Sequence, residues 1–283
     1  MAIELVTKYL PYVDELFKAE SKKSLLTNED FDWTGAHTVK VYKIGTSEMN
    51  DYDRDGTKSG ATGSRYGSIG NLSATTQTMT ILKDRSFTFV IDKLDNDETG
   101  RTLESASALA RQLREVTVPE VDTYVYSKMC ENAGIKPEAV TLTSENIYTE
   151  VVKATTALDD AEVPEAGRVL LVVPTVYQLM KQSKEIILNS NIGEDMRLKG
   201  VVSNLDGMNV IKVPAVRVPE DFGFMVAHPV ATVAPTKLAD YKIHQDPPGI
   251  SGALIEGRVV YDAFVLDNKK KAIYYQQNKP ATA

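Results

Sequence analysis

A glycine-rich segment set between two stretches of strand periodicity constrains this chain more than any other feature. Residues 45–70 hold glycines 45, 56, 60, 63, 67 and 70, six of the seventeen in the sequence, and few apolar side chains: Met49, Ala61 and Ile69, with Tyr52 and Tyr66. Ahead of it, Thr38 to Ile44 alternates, with Val39 and Val41 on one side and Lys40 and Tyr42 on the other. That is the two-residue period of a strand. After it, Met79 and Ile81, then Phe87, Phe89 and Ile91, supply a matching strand. Structureless loops beyond about 12–15 residues are uncommon in compact domains unless they carry function or are disordered. The pattern therefore predicts a long projecting β-hairpin with a glycine-rich tip. Ordering a backbone costs conformational entropy that burial of apolar surface has to offset. The tip has too little apolar surface to do so within one subunit, so it needs a partner surface.

The remainder reads as α+β. Residues 1–36 contain one weakly amphipathic stretch, Val6 to Lys18, interrupted by Pro11, and are expected to form an arm. Asp95 and Glu98 have the spacing of an N-terminal capping box. Beyond them Leu103, Ala106, Ala110, Leu113, Thr117, Val121 and Tyr124 recur every three or four residues, one face of a long helix. Pro119 lacks a donor and disfavours helix at Val118, which predicts a kink there before the helix resumes to about Asn132 and ends at Gly134. A second helix is expected over 145–160, with Ile147, Val151, Ala154 and Leu158 on one face. The apolar run from Arg168 to Pro174 suits a strand buried on both faces. A short helix over 176–182 and strands near 209–213 and 222–227 follow. Finally Ile255, Val259, Tyr261, Ala263 and Val265 alternate, and the chain is expected to turn at Asp267-Asn268 and return to Gln276.

Composition excludes several classes. At 283 residues the chain has room for about two domains and a substantial core. Thirty-two basic against 39 acidic side chains give 32 − 39 = −7, which argues against a protein whose main task is gripping nucleic acid. The densest basic run, Lys269-Lys270-Lys271, is expected to be a solvated turn. One cysteine, Cys130, permits no internal disulfide framework and is expected to be a small buried hydrophobe. No uncharged apolar run is long enough to span a membrane. The opening Met1-Ala2-Ile3-Glu4 has no signal-peptide pattern, so a cytoplasmic product is expected.

Chemical motifs are few. Asp51-Tyr52-Asp53-Arg54-Asp55-Gly56 copies the first half of a calcium loop, but position twelve is Thr62 where a bidentate carboxylate is needed. Turn-forming roles explain these Asp and Gly residues, and no tight metal site is expected. Gly56-Thr57-Lys58-Ser59 lacks the upstream glycine of a phosphate loop, and Gly249-Ile250-Ser251-Gly252 falls one residue short of a nucleophile elbow. His37, His228 and His244 are scattered. No catalytic set and no cofactor site is expected; a metal-dependent enzyme using Asp51, Asp53 and Asp55 is a minor rival reading.

Several segments together resemble tailed-phage major capsid proteins. Asp84 to Thr99 (DRSFTFVIDKLDNDET) resembles that family's hairpin-to-helix junction, and Val118 to Tyr124 (VPEVDTY) its spine helix. Gly35 to Val41, leading to Asp51–Arg54, resembles the entry into its extended loop. Tyr261 to Lys269, followed by Ala272-Ile273-Tyr274, resembles its closing strands. The matches keep the family's order over roughly residues 10 to 276.

The resemblance implies the Hong Kong ninety-seven-type capsid fold: an arm over 1–36, an extended β-hairpin loop over 37–92, a spine-helix peripheral domain over 93–140 and 236–252, and an axial domain over 141–235 and 253–283. It implies self-assembly into hexamers and pentamers of an icosahedral phage head, built in the bacterial host cytoplasm and enclosing double-stranded DNA without sequence-specific binding. It also implies a portal protein as partner. Nothing before residue 36 is long enough for the scaffolding segment many members carry, so a separate scaffolding protein is expected. The resemblance places the hairpin tip on the spine-helix region of an adjacent subunit. Asp51, Tyr52, Asp53, Arg54, Asp55, Lys58, Arg65 and Tyr66 are then the expected inter-subunit contacts. From Asp92 to Glu131 nine acids face five bases, 5 − 9 = −4, so Arg54, Lys58 and Arg65 are fitting counterparts. An encapsulin-like bacterial compartment, with the same fold around a cargo enzyme, is the alternative.

Overall fold

The computed structural model describes residues 21–28, 31, 33, 37–56, 64–98, 104–188 and 204–279. The expectations for Val6 to Lys18, Lys58 and Leu103 lie outside the described residues. The chain divides into two units: Gly35–Thr80, and Met1–Thr34 together with Ile81–Ala283.

The smaller unit is a hairpin. Strands β1 (Thr38–Ile44) and β2 (Ala74–Thr80) pair antiparallel in unbroken register from Thr38↔Thr80 to Ile44↔Ala74. Both are rich in β-branched residues, which fit a pleated surface. The Thr38 and Thr80 hydroxyls meet at 3.0 Å, and the Gly45 amide donates to the Ser73 carbonyl at 2.8 Å just past the other end.

The hairpin ends sooner than the expected 37–92. Strand β3 (Lys83–Asp92) leaves this ribbon and joins a three-stranded antiparallel sheet with β9 (Thr236–Gln245) and β10 (Gly252–Tyr261), in the order β3-β10-β9. The reason is cover for β3's apolar residues. Ile91, Ala253 and Ile255 form a small core against Phe87, Phe89, Ala108 and Leu109, contacts that an isolated two-stranded ribbon does not provide. Gly257 admits the Phe87 ring beside it, since a Cβ there would lie 2.3 Å from a ring carbon. The expected domain boundary at 252/253 falls inside this sheet, because β9 and β10 are hydrogen-bonded neighbours.

Helix α1 (Lys93–Glu98) begins at Asp92, whose Oδ1 accepts the Leu94 amide at 2.8 Å. The cap is therefore Asp92, and Asp95 lies inside the first turn rather than capping it. Helix α2 (Ser105–Gln112) runs into a π-helical turn, Leu113–Thr117, and then into α3 (Val118–Asn132), with Pro119 in the first turn of α3. A proline is well placed there because the first amides of a helix have no intrahelical acceptor. Gly134 does not act as a left-handed cap. Its amide donates to the Lys270 carbonyl at 2.8 Å, and a Cβ would come within 2.5 Å of that backbone.

The main core surrounds a five-stranded sheet of order β12-β7-β4-β6-β5. These strands are β4 (Val169–Val172), β5 (Asn204–Leu205), β6 (Met208–Lys212), β7 (Phe222–Ala227) and β12 (Ile273–Gln277). β4 sits at the centre, parallel to β6 and antiparallel to β7, and all four of its residues are buried, as its apolar run predicts. Helix α4 (Ile147–Asp160) buries Ile147, Val151, Ala154 and Leu158 completely. Helices α5 (Pro174–Gln182) and α6 (Lys184–Leu188) follow β4. The expected final hairpin is absent among the described residues. Strand β11 (Phe264–Val265) pairs with β8 (Thr232–Val233), and a 3-10 turn at Asp267–Ala272 carries the chain into β12 of the larger sheet.

Candidate functional site

The hairpin tip is held by very little. The Asp53 amide donates to the Arg65 carbonyl at 2.9 Å, and Arg65 Nη1 reaches the Arg54 carbonyl at 3.4 Å. Tyr52 and Tyr66 meet edge to face at 5.0 Å between ring centroids, an arrangement that aromatic quadrupoles favour. Gly56, at φ +70°, takes the left-handed turn that places its backbone beside the Arg65 guanidinium. The structure thus brings Tyr52, Asp53, Arg54, Arg65 and Tyr66 together. Asp51, Asp53 and Asp55 share the segment, but no metal-ligating group of three His, Cys, Asp or Glu side chains occurs among the described residues.

This hairpin also exposes apolar surface to an unusual degree. Met49 is 98% exposed and Ile69 82%, while Tyr42, Ile44, Tyr52, Tyr66 and Leu72 are exposed as well. Exposed apolar groups gathered on one element, rather than scattered singly, mark a surface that another protein covers. The glycine count pointed to the segment; the exposure of its few apolar residues gives the reason.

In the larger unit, two buried carboxylates organise the approaches to α3. Asp262 accepts from the Tyr124 hydroxyl and the Ala263 amide through Oδ1 and from the Leu82 amide through Oδ2, each at 2.8 Å. It thereby fixes the chain at the start of β3. Beside it, Glu120 Oε1 accepts from Arg85 Nε at 2.7 Å and from the Tyr261 hydroxyl at 3.3 Å. Burial, with Glu120 adding to it, pushes the Tyr261 phenol up to about 12. Burial and the Asp262 hydrogen bond carry Tyr124 above the usual phenol range. Asp122 takes Ser21 Oγ at 2.6 Å and Arg217 Nη1 at 2.9 Å, joining residue 21 and the Ala215–Arg217 turn to α3. Sequence reasoning did not single out these acids for such roles.

The remaining candidates have structural positions. Burial pushes the Cys130 thiol up to about 12, far from the thiolate that nucleophilic chemistry requires. His228 accepts the Val230 amide through Nδ1, and its Nε2 lies 3.0 Å from the Ala166 carbonyl. His244 Nε2 lies 3.2 Å from Glu256 on the exposed sheet. Of the lysine run, Lys270 pairs with Asp267, and Lys269 and Lys271 are exposed. No helix among the described residues is long and apolar enough to cross a membrane.

A chain with these sheets, this helix and this hairpin has the Hong Kong ninety-seven-type fold of phage major capsid proteins. A structure from Mycobacterium phage Che8 superimposes with a TM-score of 0.80 over 96% of both chains, at 17% identity. The capsid structure of Cyanophage P-SCSP1u gives 0.76 over 97% of this chain and 93% of its own, at 16% identity. A virus-like particle from Pyrococcus furiosus gives 0.53 over 91% and 92%, at 12% identity. No protein-family model matches the sequence. No curated protein matches it either.

Proposed function

We propose that this chain is a major capsid protein: a structural, non-catalytic subunit that assembles into hexamers and pentamers of an icosahedral phage head enclosing double-stranded DNA. The observation that carries the proposal is a fold shared over nearly the whole chain with a phage capsid, coupled to a hairpin whose apolar residues stay exposed in the single subunit. The exposed Met49, Tyr66 and Ile69 are covered by the spine-helix region of an adjacent subunit. There Arg54, Arg65 and Lys58 face an acidic stretch of net −4, and Asp51, Tyr52, Asp53, Asp55 and Tyr66 complete the contact. Such charges steer association more than they strengthen it. The protein belongs to the virion after assembly in the host cytoplasm, beside a portal and a separate scaffolding protein. A net charge of −7 suits a container that holds DNA without gripping it.

The likeness to the Pyrococcus particle supports a second reading, an encapsulin-like compartment, at a lower TM-score. Negative-stain microscopy of the expressed protein, followed by analysis of particle contents after nuclease treatment, separates the two. Closed shells able to take up DNA with a portal support the phage head; a co-purifying cargo enzyme supports the compartment. Monomers under all assembly conditions would overturn both.

A further inference from the structure

The β1–β2 ribbon leaves the outer edge of β2 without a strand partner among the described residues. Open edges are normally protected by lysines, prolines, bulges or inward charges. The other long edges here carry such protection. β1 has Lys40 and Lys43, β3 has Lys83, Asp84 and Arg85, and β9 has Lys237, Asp240 and Lys242. β9 also meets β10 with a register shift at Val260/Tyr261. β2 has neither device. Its sequence, ATTQTMT, is uncharged, contains no proline, and keeps an unbroken register with β1. Ala74, Thr76 and Thr78 lie on its exposed face, whereas Met79 on the opposite face is buried.

From this we infer that the β2 edge is an inter-subunit docking surface, and that its occupant is β2 of a second copy, paired antiparallel about Gln77. The inference rests on the shell reading above and names a contact within it. A two-stranded ribbon is marginal alone, and a third strand is the usual remedy. Charge selects which strand. β1 against β1 would crowd the lysines of two copies, and like charges opposite one another are destabilising. β2 against β2 brings no charge at all. It sets Thr76 opposite Thr78 of the other copy, twice, in the self-complementary manner of a two-fold contact.

Cross-linking tests the register. Cys130 is the chain's one native cysteine and is buried, so a cysteine placed on β2 reports alone. Thr76→Cys and Thr78→Cys chains, mixed before assembly and oxidised, should give a disulfide-linked dimer on a non-reducing gel. Either chain assembled separately should give only background, because a diagonal pair in this register lies beyond disulfide reach. Independently, Thr76→Glu/Thr78→Glu sets carboxylates face to face between copies, while the carboxylate introduced at position 78 stands opposite Lys40 within its own hairpin. That variant should keep its circular dichroism and lose closed shells. A mixture giving no more dimer than the separate chains, or normal shells from the doubly substituted variant, would overturn the β2 contact while leaving the shell reading in place. Failure of the unmodified chain to form shells would overturn the shell reading, and this contact with it.

Discussion

Asp122 is sealed from solvent with both of its oxygens occupied, one by Ser21 and one by Arg217, itself buried. A buried charge left without its partner costs roughly 3–5 kcal/mol, whereas replacing a whole pair by apolar groups of similar size is often neutral. Arg217→Met should therefore lower stability in urea by about that amount, and adding Asp122→Leu should restore most of it. Strict additivity of the two changes would show that the pair is not coupled. Cys130 makes a second claim at this scale. With its thiol pushed up to about 12, only about one part in ten thousand is thiolate at pH 8. A disulfide reagent should then react with it only as the subunit unfolds. Rapid labelling of native protein would contradict its burial. The apolar residues of this core were readable because their spacing is local: Ile147, Val151, Ala154 and Leu158 announce a helix face. The buried acids were not, because Asp122 finds Arg217 across 95 residues and Asp262 finds Leu82 across 180. No periodicity encodes such partners.

Among the elements, the hairpin tip and the interrupted helix carry the sharpest expectations. Replacing residues 48–70 with a two-residue Asn-Gly turn removes Met49, Tyr52, Tyr66 and Ile69 but leaves β1 and β2 intact, a turn that suits paired strands. The product should be a soluble, folded subunit that sediments without forming shells. Reversing Arg54 and Arg65 to Glu should weaken assembly less, since exposed ion pairs contribute about 0–1 kcal/mol each. Normal shells from the deletion would remove the hairpin from the assembly mechanism. In the helix, the π turn at Leu113–Thr117 directly precedes the segment that contains Pro119. We expect the axis to change direction there, and Pro119→Ala to yield a single straight α-helix from residue 105 to 132, readable in a crystal structure. A bend that survives the substitution would assign it to the π turn alone. The sequence announced a disturbance at the proline because proline chemistry is local. It carried no sign of the π turn, whose widened hydrogen bonds lie in a stretch, LREVT, that otherwise reads as ordinary helix.

Across the whole molecule, tertiary packing decided what local pattern could not. The fold class and most strands of the five-stranded sheet were legible, since a buried central strand such as β4 reads as an unbroken apolar run. The partners of β3, β11 and β12 were not, because alternation marks a strand's faces and says nothing about which strand lies beside it. That packing has a consequence for the response to alkali. Burial is the leading cause raising the phenols of Tyr124, Tyr126, Tyr241, Tyr261, Tyr274 and Tyr275, with Tyr261 and Tyr275 reaching about 12. A phenol whose folded value exceeds its unfolded value of about 10 favours the native state fully below pH 10. Above that, the unfolded chain releases its proton while the folded one holds it, so the contribution is lost as pH rises from 10 through 12. The subunit should therefore lose its circular dichroism cooperatively in that window, with tyrosinate absorbance at about 295 nm rising in the same step. Tyr275→Phe removes one of these titrating groups while keeping the ring that stacks on Phe222. Its melting temperature should fall less steeply between pH 10 and 12 than that of the unmodified chain. Parallel slopes for the two proteins would mean that Tyr275 ionises without regard to folding, and that its phenol is not held by the sheet.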